Sequence, residues 1–177
     1  IWVGTTDGLN RLTPQKVTHF LTLDLVTGLE AAPDGTVWAA TADAIVKVTQ
    51  NGDELYRFAG LRPRAMNVDA HGTLWVATDE SVVRIDTGAR TPEVVDKTLR
   101  HVRAMTSDRE GRVWMFDSEQ GLLRWHRNRV DPVALPELEN DRVTLMFTDR
   151  EGTIWLSGGG RLIAISSEGQ TRVFGAA

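Results

Sequence analysis

Seven residues in this chain have types and spacing suited to holding a charged or hydroxylated molecule: Arg62 and Arg64; Arg100, His101 and Arg103; Asp141 and Arg142. They form three groups, each 11 to 14 residues ahead of a tryptophan (Trp75, Trp114 and Trp155). At the same offsets before Trp38 stand Asp24 and Thr27, and Thr144 completes the last group. A guanidinium offers a planar fork of donors that matches carboxylates and neighbouring hydroxyls, so a ring of arginines with carboxylates beside it suits an anionic or polyhydroxylated ligand. The plainer reading is a wet surface where arginine is solvated or paired with aspartate.

Other chemistries are less well provided for. Aspartate recurs with glycine three places on, at Asp69, Asp108 and Asp149, but without the alternating carboxylates and distal bidentate glutamate of a calcium loop. Turn formation is the expected role of these residues. His19, His71, His101 and His126 stand at no metal-ligand spacing, so no metal site is expected. "LSGGGR" (156–161) lacks the Lys-Ser/Thr ending of a phosphate-binding loop and reads as a hairpin turn. There is no G-x-S-x-G elbow for a nucleophile, and nothing calls for a cofactor.

The frame that positions the arginines is a repeat. Trp2, Trp38, Trp75, Trp114 and Trp155 are separated by 36, 37, 39 and 41 residues. Aligned on them, Gly35, Gly72, Gly111 and Gly152 stand three places before the indole. Val37, Leu74, Val113 and Ile154 stand one before, and Leu29, Met66, Met105 and Met146 nine before. Asp69, Asp108 and Asp149 stand six before, where the first full unit has Ala32 and places Asp34 beside its glycine instead. The aspartate can cap backbone N–H groups and the glycine can take positive φ, so each phrase predicts a turn between two strands.

The flanking runs are short and β-rich: "RAMNV" (64–68), "TLWVAT" (73–78), "SVVRID" (81–86) and "ELYRFA" (54–59). They lack a helical period. Four antiparallel strands in about 40 residues make one blade of an all-β propeller, whose neighbours stack face to face around an axis. The repeated indole supplies a wide apolar surface for that stacking, and Trp125, outside the register, is expected to cover the third strand of its own blade. The blades fall at 1–22, 23–60, 61–99, 100–140 and 141–177: four complete and one of three strands, 19 strands in all. Two readings of the ring are open, a piece of a larger propeller or a five-bladed ring that closes imperfectly. A piece would leave sheet edges and one blade face uncovered, inviting self-association. The starts of the inner strands crowd around one mouth of the central channel, which is where the arginine column would lie.

"DRVTLMFTDREGTIWLSGGG", "RHVRAMTSDREGRVWMFDSEQGLLRW" and "IWVGTTDGLNRL" resemble the two-component regulator propeller repeat. The match is close in the first, fourth and fifth units. It weakens in the second and third, where "WAATADAIVKV" and "WVATDESVVRI" lack the G-T and G-L pairs. The resemblance implies a ring of about seven blades serving as the periplasmic sensor of a bacterial receptor, with a histidine kinase or diguanylate cyclase output outside this chain. It implies as partners a carbohydrate-derived ligand, the rest of the receptor chain and a second copy, and it carries no ligand residue over to this sequence. The second and third units are also similar to streptogramin-lyase-type propellers, which would want a histidine and a glutamate meeting on one face with a divalent ion; His101 is the candidate. A structural or protein-interaction propeller is the remaining alternative.

Composition is compatible with this. The chain has 177 residues, 41% of them hydrophobic and 25% charged, with net charge −4. No general attraction to nucleic acid or an acidic membrane is expected. It has no cysteine, which excludes disulfides and thiolate metal sites, and no apolar run near the ~18 residues of a spanning helix.

Overall fold

The computed structural model describes residues 1–13, 16–21, 25–86, 88–138 and 143–175. It contains 19 strands in five antiparallel sheets, each sheet a simple meander. The first holds β1 (Trp2–Thr5), β2 (Gly8–Thr13) and β3 (Lys16–Leu21). The second holds β4 (Gly28–Ala31), β5 (Val37–Ala40), β6 (Ala44–Val48) and β7 (Glu54–Ala59). The third holds β8 (Pro63–Val68), β9 (Leu74–Thr78), β10 (Val82–Ile85) and β11 (Glu93–Asp96). The fourth holds β12 (Val102–Ser107), β13 (Val113–Asp117), β14 (Gly121–His126) and β15 (Arg129–Pro132). A single 3₁₀ turn (Pro136–Leu138) precedes the fifth, of β16 (Val143–Thr148), β17 (Ile154–Gly158), β18 (Arg161–Ile165) and β19 (Thr171–Phe174). This is the all-β propeller architecture expected from the repeat, four full blades and one of three strands. The inner strands β8, β12 and β16 lie side by side around the axis.

The core is a series of layers between blades. Trp38, Ile45 and Phe58 of the second blade pack on Leu74, Val76, Val83 and Ile85 of the third. Trp75 and Ala77 pack on Met105, Val113, Met115 and Leu123 of the fourth. Trp114, Phe116 and Leu122 pack on Met146, Ile154, Leu156 and Ile163 of the fifth. Each indole therefore seals its blade against the next, with burial of apolar area as the driving term. Trp125 reaches further than its own blade: it packs with Leu123 and Val130 there, and its ring centroid lies 5.7 Å from that of Trp75, so it also closes the layer between blades three and four. An indole on a third strand is long enough to reach back across the sheet gap.

The fifth blade shows what an indole does with no sheet stacked on it among the described residues. Trp155 is sandwiched between Phe147 (6.2 Å) and Phe174 (5.8 Å) of its own blade. Leu145 is 57% exposed and Phe147 46% exposed on the same sheet.

The aspartate phrase is a clasp with more grip than turn chemistry alone. One oxygen of Asp69 accepts the backbone N–H groups of His71 (2.9 Å) and Thr73 (3.0 Å), and the other accepts Trp75 Nε1 (3.0 Å). Asp108 does the same with Glu110 and Arg112 N–H (both 3.0 Å) and Trp114 Nε1 (2.7 Å), and also receives Arg112 Nε (2.6 Å). Asp149 takes Glu151 N–H (3.0 Å), Thr153 N–H (2.9 Å) and Trp155 Nε1 (2.7 Å). Gly72 and Gly111 hold φ of 84° and 74°, which keeps each turn tight enough for this. Burial alone would raise the pKa of Asp108, but donation from Trp114 and Arg112 outweighs it and holds the carboxyl below its usual range.

Candidate functional site

The channel mouth is built by a repeated irregularity. The ladder between β8 and β9 shifts register between Pro63 and Ala65, which leaves Arg64 unpaired. The β12–β13 ladder shifts between Val102 and Ala104, releasing Arg103, and the β16–β17 ladder between Val143 and Leu145, releasing Thr144. The residue 11 places before each of these tryptophans is thus a β-bulge. A bulge bends its strand and re-aims one side chain without disturbing the alternation beyond it.

The bulges bring arginines from two blades toward one carboxylate. Arg64 grips Asp79, in the β9–β10 turn, with Nε at 2.6 Å and Nη2 at 2.8 Å. The Asp79 carboxyl is held below its ordinary range, first by that pair, with burial opposing, and then by the charges of Arg62 and Arg103. Arg62 and Arg103 thus act on a carboxylate that Arg64 already pairs. Arg62 lines a cleft of about 630 Å³ between the second and third blades, together with Asp43, Asp79 and Glu80. Arg64 and Asp79 are both half-exposed, so their bond contributes little stability and an incoming anion can compete for it.

The other sequence candidates fall around this centre. His101 Nδ1 lies 3.2 Å from Glu119 Oε1 on the fourth blade's turn. Buried Asp117 fixes that turn by accepting the N–H groups of His101 (3.2 Å), Glu119 (2.9 Å) and Gln120 (3.1 Å). Arg100 turns away, its Nε donating to the Lys97 carbonyl at 3.2 Å. Thr144 Oγ1 donates to the Ser157 carbonyl at 3.1 Å. Asp24, Asp141 and Arg142 lie outside the described residues. No three His, Cys, Asp or Glu converge on a metal position among the described residues.

Two residues matter here that the sequence pattern did not single out. Asp79 has no equivalent at the other turns of the column, where Ser118 and Gly159 follow the second strand. Glu30, cross-strand from Trp38, lines a second cavity of about 200 Å³ beside Arg64 and Met66. Desolvation raises its carboxyl to about 7, partly opposed by a hydrogen bond from the Val68 backbone. The signal for Glu30 was a charged residue in an inner-strand column that otherwise reads Asn67, Thr106 and Phe147.

No protein-family model matches the chain, and no curated protein matches its sequence. Solved structures match its fold. The extracellular domain described as belonging to a hybrid two-component system of B. thetaiotaomicron superposes with TM-score 0.79 at 20% identity, over 98% of this chain and 26% of that one. A second extracellular domain from the same organism, described as a one-component system, gives TM-score 0.75 at 15% identity over 99% of this chain and 29% of that one. Virginiamycin B lyase from Staphylococcus aureus gives TM-score 0.78 at 14% identity, over 99% and 69%. At these identities the likeness is one of fold, and the fold is the β-propeller. The chain spans under a third of either extracellular domain.

Proposed function

We propose that the chain is part of a ligand-sensing propeller in the extracytoplasmic region of a bacterial two-component-type receptor, and that the channel mouth binds an anionic, carbohydrate-derived small molecule. The observation that carries this is that Arg64 and Arg103, from bulges on two neighbouring blades, and Arg62, just ahead of β8, all act on Asp79. Arg62 and Arg103, which make no ion pair among the described residues, can take a further carboxylate, and the exposed Arg64–Asp79 fork can open to receive it. The repeat signature and the two extracellular domains that share the fold support the receptor context. The segment itself carries no catalysis on this reading; kinase or cyclase activity would belong to other parts of the receptor.

The test is a thermal-shift screen against acidic and neutral oligosaccharides, because a ligand that binds only the native state raises apparent stability. Acidic sugars should raise Tm, and the shift should vanish in Arg64→Ala/Arg103→Ala while the ligand-free Tm holds. A shift that persists in the double variant removes the mouth as the site.

The His101–Glu119 contact favours a second reading, a lyase-like propeller, since that chemistry wants such a pair on one face. It would require a divalent ion to bind there, which calorimetry with Mg²⁺ on wild type and His101→Ala checks directly.

A further inference from the structure

The end of the ring opposite the arginine mouth holds another cleft, of about 390 Å³, between the fourth and fifth blades. Its walls are the Asp108–Arg112 turn, Trp114 and Arg124 on one side, and Glu151, Gly152 and the Ser166–Gly169 turn on the other. A regularity of the whole molecule makes Arg124 unusual. In each of the first four blades the third strand sets a basic residue across the ladder from the repeated indole: Arg11 with Trp2, Lys47 with Trp38, Arg84 with Trp75 and Arg124 with Trp114. Three of the four are neutralised or satisfied by protein. Arg11 Nη1 crosses to the next blade and donates to the Gln50 carbonyl at 2.8 Å. Lys47 Nζ lies 3.2 Å from Asp34 Oδ2, and Arg84 Nη2 lies 2.8 Å from Glu93 Oε2. Arg124 stacks on Trp114, 5.5 Å from the ring centroid, yet its buried Nε has no hydrogen-bond partner and it makes no ion pair among the described residues.

The gap that Arg11 bridges corresponds to the one that holds the cleft. Gln50 lies in the turn between β6 and β7, and the equivalent turn of the fifth blade is Ser166–Gly169. Arg124 does not cross to it, and the space stays open. A half-buried guanidinium with an orphaned donor beside a cavity is a site waiting for an acceptor.

The charges around it say what the acceptor is attached to. Arg112 already holds Asp108 (2.6 Å) and Glu110 (2.7 Å), so those three are engaged with one another, one positive charge to two negative. What remains without an ion pair among the described residues is Arg109 and Arg124 on the fourth-blade wall, and Glu151 and Glu168 on the fifth-blade wall. A simple anion would satisfy the arginines but face two glutamates; a simple cation would meet the reverse. A neutral polyol would hydrogen-bond to both walls and neutralise neither. We infer that this interblade cleft is a second binding site, and that it takes a small zwitterion of the α-amino acid class, carboxylate toward Arg124 and Arg109, ammonium toward Glu151 and Glu168.

The inference does not depend on the mouth. Its test is calorimetric or NMR titration of the protein with free amino acids, alongside their N-acetyl and carboxamide derivatives, which each lack one of the two charges. At least one free amino acid should bind, with both of its derivatives at least 10-fold weaker. Arg124→Gln and Glu168→Gln should each weaken it at least 10-fold, while Arg64→Ala/Arg103→Ala leaves it unchanged. Should Arg124→Gln not fold, Glu168→Gln, on an exposed turn, still decides. Binding of an N-acetyl derivative as tight as its parent, retention in both variants, or no binding by any amino acid would overturn the assignment.

Discussion

The second blade and the three that follow it solve the same problem differently. In blades three to five a single carboxylate ties the turn backbone and the indole N–H together. The second blade has Ala32 at that position, and the Trp38 Nε1 is buried with no partner. Asp34 caps the turn instead, accepting Thr36 N–H at 2.9 Å, and pairs with Lys47, which is only 4% exposed and lies over the Trp38 ring. The blade is held by a buried cation against the indole face where its neighbours use an anion against the indole edge. The fold tolerates either, so the clasp adds stability and the stacking of blades sets the architecture.

The largest break in this comparison comes from Asp108→Ala. It strands a buried indole N–H and two backbone donors and removes one of the two carboxylates that Arg112 holds, and should cost about 3 kcal/mol in urea denaturation. A loss below about 1 kcal/mol would show the clasp to be incidental.

Next comes pH, because Glu30 of blade two responds with the opposite sign to the clasp aspartates. Glu30 titrates near 7 when folded and near ~4.3 when unfolded, so the folded state holds the extra proton between those values. Its contribution therefore falls as pH rises from about 4.3 to 7. Asp108 and Asp149, both depressed, contribute stability above the unfolded carboxylate pKa and lose it as the pH drops through their folded values. Glu30→Gln should flatten the fall between pH 5 and 7.5 and leave the acid-side loss in place; denaturation midpoints across that range check it.

Restoring the clasp in blade two is a smaller effect. Ala32→Asp gives Trp38 Nε1 an acceptor and should add about 1 kcal/mol, limited because Asp34 already holds Thr36. Smallest is Asp149→Ala, where the turn and Trp155 are only partly buried and water can replace the carboxylate. Its loss should be clearly below that of Asp108→Ala in the same assay.

The blades were legible because tryptophan and glycine recur at spacings that only a repeated unit produces, and the strands follow from the turns these residues impose. The Asp–Trp bond was not read, although both columns were, since a spacing of six does not reveal which atoms meet across a hairpin. The contact of Trp125 with Trp75 was not legible because the two are 50 residues apart and on different sheets. At the mouth, the arginine column could be read but its anchor could not: Asp79 occurs in one blade only and leaves no periodic trace. Arg124 is the reverse case. Its position belongs to a column, and what distinguishes it is a missing neighbour, which is a property of three dimensions.

The bulges at Arg64, Arg103 and Thr144 carry a consequence for how such a ring diversifies. A residue that sits outside the ladder takes no place in the strand pairing, so its replacement leaves the register of the sheet untouched. Each of the last three blades thereby offers one interchangeable socket at the rim, and recognition can be rewritten socket by socket while the wedge beneath keeps its shape.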